Sequence, residues 1–95
     1  MTPRISEIQH AVAQHFGTKL IDMVSGRTGR HVARPRQVAM YLSRGLTPHS
    51  LPAIGRQFGN RDHTTVLSAC RRIDELIECD KDLAASVAKL IDKLS

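Results

Sequence analysis

Apolar residues recur three and four positions apart along almost the whole chain, and no stretch alternates with a period of two. A chain written this way folds as amphipathic helices, each burying one stripe, and not as strands. Ile5, Ile8, Val12 and Phe16 share the first stripe. Pro3 precedes it, where a missing N–H costs nothing, and Gly17 follows it, free to take the left-handed conformation that ends a helix. Thr18 is expected to cap a short second helix over 19–24, with Leu20, Met23 and Val24 facing inward. A third helix is expected from about Ala33 to Gly45, with Pro35 in its first turn and Val38, Ala39 and Leu42 buried. Ser50 then caps a helix carrying Leu51, Pro52, Ile54 and Phe58, which Gly59 ends. A longer helix from about Asp62 to Ile77 buries Val66, Ala69, Cys70, Ile73 and Ile77, and a last one over 82–94 carries Leu83, Val87, Leu90, Ile91 and Leu94. The expected fold is all-α, a compact bundle of about six helices.

With 95 residues there is room for one domain, and no internal repeat, linker or low-complexity tract divides it. Tyr41, Phe16 and Phe58 are the only aromatic residues, so the core is expected to be aliphatic, with Met23 and Met40 filling gaps. No apolar run approaches the ~20 residues of a membrane span, and the N-terminus has no apolar stretch of a signal peptide. Cys70 and Cys79 form neither a CxxC motif nor a disulfide framework, which suits a reducing cytoplasm.

Charge is distributed unevenly. Residues 1–72 hold 11 basic and 3 acidic side chains, whereas residues 73–95 hold 3 basic and 6 acidic ones. A basic body with an acidic end points to a polyanion as partner. Part of the excess lies in residues 25–31, Ser-Gly-Arg-Thr-Gly-Arg-His, which lack an apolar anchor and read as a solvated basic loop.

The segment 50–77 has the layout of a helix-turn-helix. Gly55 is small where two helices would cross, and Gly59 can supply the positive φ of the turn. The second helix opens on Asp62-His63-Thr64-Thr65, short polar side chains of the kind that reach base edges in a major groove. The run Ile54-Gly-Arg-Gln-Phe-Gly-Asn-Arg-Asp-His-Thr-Thr-Val66, followed by Ala69 and Ile73, resembles the signature of the DnaA family of bacterial chromosomal replication initiators. The likeness is to that family's C-terminal DNA-binding domain. Val32-Ala-Arg-Pro-Arg-Gln-Val-Ala-Met-Tyr-Leu42 and Thr47-Pro-His-Ser-Leu-Pro52 extend it over nearly the whole chain.

The resemblance implies sequence-specific binding to short duplex sites, the DnaA boxes. It carries base contacts onto Leu51, Pro52, Asp62, His63 and Thr64, and phosphate contacts onto Gln37, Thr47, His49, Arg61 and Thr65. These roles suit the side chains: Asp62 can accept from a cytosine amino group, and Thr64, Pro52 and Leu51 can meet thymine methyls. The family also sends a basic loop side chain into the adjacent minor groove, and Thr28 falls where that arginine is expected. Either Arg27 or Arg30 substitutes from a neighbouring position, or the contact is weakened. No GxxxxGK[ST] phosphate loop occurs, which excludes ATP hydrolysis through the family's ATPase module. An excised domain or a stand-alone relative would both meet this description.

Plainer readings stand beside these. Asp62 is a favoured N-cap, worth ~1 kcal/mol, and Arg27 and Arg30 could simply decorate a solvated loop. His10 and His15 are five apart and do not share a helix face as a chelating pair would, so no metal or other cofactor is expected. Asp62-His63 lacks a third orienting group for acid–base catalysis, so no enzyme is expected. Cys70 reads as a buried small hydrophobe. The acidic end (Asp74, Glu75, Glu78, Asp80, Asp82) reads as a solvated face, with docking of a protein partner as an alternative. No heptad seam suggests a constitutive dimer, so a monomer is expected. The rival to DNA recognition is a helical protein-interaction module whose DNA readout has weakened, or a stand-alone regulator.

Overall fold

The computed structural model describes residues 2–95, all in one helical bundle. Its elements are α1 (Ile5–Phe16), a single 3-10 turn (Leu20–Met23), α2 (Arg30–Leu46), α3 (Leu51–Gln57), α4 (His63–Cys79) and α5 (Lys81–Leu94). The all-α expectation holds, with five α-helices among the described residues rather than about six, because the second segment closes only one 3-10 turn. Ile8, Val12, Val38, Ile54, Phe58, Val66 and Ile73 are fully enclosed in one aliphatic core, joined by Met23, Met40, Leu42 and Leu90. No helix among the described residues is long and apolar enough to cross a membrane.

Several ends fall where the cap residues place them. Gly17 closes α1 at φ 70°, the Ser50 hydroxyl accepts from the Ala53 N–H at the start of α3, and Asp80 caps α5. The 3-10 turn departs from its expectation. Thr18 does not cap it: the Asp22 carboxylate takes the Lys19 N–H instead, and the Thr18 hydroxyl is buried without a partner. Of the four apolar residues over 20–24 only Met23 is buried, while Leu20, Ile21 and Val24 are exposed. A single turn offers one inward direction, so it cannot bury a stripe.

The third helix starts three residues earlier than expected. Gly29 serves as N-cap without a side chain, its carbonyl accepting from both Val32 and Ala33 N–H, and burial of Val32 anchors the added turn. The basic loop is therefore residues 25–29, and Arg30 and His31 belong to the first turn of α2. Pro35 lies in the helix interior, and Gly45 does not end the helix, which runs on to Leu46. The last correction is at α4, which continues two residues past Ile77 to Cys79.

Candidate nucleic-acid interface

The crossing of α3 and α4 sets the geometry of the helix-turn-helix. The Gly55 carbonyl accepts from the N–H groups of Phe58 and Arg61, and a Cβ on Gly55 would overlap the Arg61 carbonyl. The turn between them uses two successive left-handed residues, Gly59 at φ 73° and Asn60 at φ 57°. Gly59 has a second reason to be glycine, since the Val24 carbonyl occupies the space of its absent Cβ. The turn thus packs directly on the segment leading into the basic loop.

At the start of α4, residues 62–65 are all exposed. Asp62 is both cap and acceptor hub. Its Oδ1 takes the His63 N–H at 2.9 Å and lies 3.1 Å from His63 Nδ1, and its Oδ2 takes the Thr64 hydroxyl. The Thr64 hydroxyl first of all holds the Asp62 carboxyl below its ordinary pKa; desolvation opposes it, and the His63 ring and N–H add to the lowering. The carboxylate keeps lone pairs for a further donor. Thr64 has spent its hydroxyl proton and presents its methyl. Pro52 is exposed and Leu51 half-buried in the first turn of α3.

Three of the expected phosphate-contacting residues come together. Gln37, Arg61 and Thr65 line one groove of about 380 Å³ between α2 and α4, with Arg36 and Arg72 among the other lining side chains. The Gln37 carbonyl oxygen accepts from Arg34 at 3.2 Å, which leaves its amide N–H groups as donors. Thr47 and His49 lie elsewhere, on the connection between α2 and α3. The Thr47 hydroxyl donates to the Ser43 carbonyl at 2.6 Å and finishes α2, so its proton is committed within the fold. His49 is exposed.

The basic loop has no regular hydrogen bonding of its own and is held by two arginines. Arg36 is 6% exposed. Its Nε and Nη2 both donate to the Asp22 carbonyl, and Nη2 also reaches the Arg27 carbonyl at 3.0 Å. Arg61 donates to the Phe58 carbonyl through Nη1 and to the Ser25 carbonyl through Nη2, both at 2.5 Å. Burial, and for Arg36 also the neighbouring Arg61 charge, pulls both guanidinium pKa values down, yet arginine remains charged at any ordinary pH. Arg61 therefore welds the helix-turn-helix to the loop as well as facing the groove. Within the loop Thr28 is exposed, and the Arg27 side chain is 66% exposed with the Asp22 carboxylate 3.8 Å away. Arg30, exposed in the first turn of α2, sits beside the Arg34 charge.

Sequence reasoning missed Arg36 and Asp22. The one available signal was position: Arg36 lies four residues after Val32 and three before Ala39, on the buried face of α2. Among the described residues no three His, Cys, Asp or Glu side chains cluster as metal ligands would. Cys70 is buried, with its thiol pointed at the Met40 carbonyl, and burial raises its pKa.

Comparison with known proteins agrees with the helix-turn-helix arrangement. Over 91 residues the chain is 54% identical to the chromosomal replication initiator protein DnaA of Bartonella quintana (strain Toulouse), covering 96% of this chain and 18% of that protein. It is 56% identical over 86 residues to the protein of the same name from Gluconobacter oxydans (strain 621H), covering 90% and 18% respectively. The chain thus spans 18% of the length of these relatives. A crystal structure of a DNA replication initiation factor superposes with a TM-score of 0.80 at 29% identity, over 96% of this chain and 29% of that one. The model of the bacterial dnaA protein helix-turn-helix matches residues 5–73, and the chain belongs to that family.

Proposed function

We propose that this chain binds duplex DNA sequence-specifically at DnaA-box-like sites, as in recognition of a replication origin on the cytoplasmic nucleoid. The observation that carries the reading is the exposed 62–65 turn at the start of α4, set beside a groove lined by Gln37, Arg61 and Thr65. In this reading α4 enters the major groove. Asp62, His63 and the Thr64 methyl meet base edges there, and Leu51 and Pro52 add apolar contacts from α3. The amide of Gln37, the hydroxyl of Thr65 and the free N–H groups of Arg61 hold phosphates. His49 reaches a phosphate from the connection before α3, and Thr47 does so by turning its hydroxyl away from Ser43.

Of the two loop arginines, Arg27 is the better candidate for the minor groove. It projects from the latched part of the loop next to Thr28, whereas Arg30 rises from a helix and suits the backbone. The acidic side chains late in α4 and at the start of α5 keep that end of the molecule off the phosphates.

Fluorescence anisotropy on a labelled duplex carrying a DnaA box, against a scrambled duplex, tests the reading. Tighter binding to the box that persists as salt rises is expected, with log K falling against log salt at a slope of roughly −5 for five or six phosphates. Equal binding that collapses with salt would reject base readout and favour a helical interaction module, a reading to which the Thr28 departure and the Asp22 carboxylate near Arg27 lend weight.

A further inference from the structure

A second basic surface shares no lining residue with the α2–α4 groove. The N-terminal segment, the connection before α3 and the exposed face of α3 enclose an open cleft of about 640 Å³. Arg4, His49 and Arg56 are its titratable side chains, and no carboxylate lines it. Glu7, whose carboxylate accepts the Arg4 backbone N–H at 2.9 Å, faces neighbouring grooves instead. Arg56 is exposed and, among the described residues, makes no hydrogen bond or ion pair.

An uncompensated pair of guanidiniums beside a histidine attracts a polyanion, and its position says which one. His49 and Pro48 form one rim of the cleft and lead directly into Leu51 and Pro52 of the proposed DNA face. Arg56 lies one turn after Pro52 on the same face of α3, about 6 Å further along the helix. The cleft is thus continuous with the surface assigned to DNA.

We infer that the Arg4–His49–Arg56 cleft holds the phosphate backbone of duplex DNA flanking the recognised site, beyond the base pairs that α4 reads. The inference rests on the DNA-binding reading above. It adds a sequence-independent contact whose use depends on the length of the duplex. Each phosphate paired in the cleft contributes a salt slope of about 0.9, or roughly eightfold in affinity at 0.1 M salt.

The test is anisotropy with the whole chain on two box duplexes, one trimmed to the box and one extended by about ten base pairs on each side. Arg56→Ala and Arg4→Ala are each expected to weaken binding to the extended duplex five- to tenfold at 0.1 M salt. They should lower its salt slope by about 1 and leave binding to the trimmed duplex unchanged. Arg56→Lys should restore most of the loss, since a point charge suffices for a phosphate. Equal losses on both duplexes, or none on either, would overturn the inference. Failure of the underlying reading looks different: the unsubstituted chain would then not prefer the box over a scrambled duplex of the same length.

Discussion

At the scale of single residues, the start of α4 shows one side chain, Asp62, that caps the helix and also holds the residues proposed to read bases. Its partners are His63 and Thr64, so on the proposed reading capping orders the turn that meets the bases before DNA is bound. Thr64 gives its hydroxyl to that carboxylate and has only a methyl left for the groove. Thr64→Val, which deletes the hydroxyl and keeps the shape, should therefore retain most of the box preference. Thr64→Ala should lose ~1–3 kcal/mol of it, with little loss on scrambled duplexes. Anisotropy on both duplexes measures this, and equal losses for the two variants would assign the reading to the hydroxyl. The same valine variant should raise the Asp62 pKa toward its ordinary value, because the first cause of its depression is gone. A carboxyl depressed in the folded state contributes stability above its unfolded pKa and loses it as pH falls through the folded one. The unsubstituted chain should thus keep its cap to lower pH than Thr64→Val, which an NMR titration of the carboxyl carbon can follow.

At the scale of elements, two glycines one helix apart have opposite reasons for being there. Gly55 sits where a Cβ would strike the Arg61 backbone, whereas Gly45 lies inside α2 with open space around it. Gly55→Ala should cost about 2–3 kcal/mol by forcing the turn away from α3. Gly45→Ala should gain about 0.5–1 kcal/mol from helix propensity and a stiffer unfolded chain. Urea melts of the two variants check both signs, and destabilisation by Gly45→Ala would mean that α2 ends where its glycine first suggested. The contrast also marks what the sequence makes legible. Stripes at three and four, together with Gly17, Ser50 and Asp62 at their caps, placed α1, α3 and the start of α4 within a residue or so. The start of α2 was hidden because Gly29 caps it with backbone alone and Val32 anchors it only through tertiary burial. The turn at 20–23 was over-read because three apolar residues in a row of four look like a helix whether or not they share a face.

At the scale of the whole molecule, the basic loop gets its shape from its neighbours. Val24, Ser25 and Arg27 each present a carbonyl to the bundle, met in turn by the space above Gly59, by Arg61 and by Arg36. None of this was readable in advance. The acceptors are backbone groups 9 to 36 residues from their donors, and a carbonyl acceptor imposes no residue type that a sequence pattern could reveal. The latch matters because a loose loop must be ordered on binding, at about 1–2 kcal/mol for each residue fixed. Arg36→Met keeps much of the side-chain volume and removes the donors, leaving the Asp22 and Arg27 carbonyls without their partner. It should cost about 2–4 kcal/mol in urea unfolding and speed amide exchange through residues 25–29. On the proposed reading, in which the loop meets the backbone or minor groove, affinity for box and scrambled duplexes should fall together by tenfold or more under conditions where the variant remains folded. Lost stability with DNA affinity unchanged would mean that the loop, though latched to the helix-turn-helix, stays clear of the duplex, and Arg27 would lose its assignment to the minor groove.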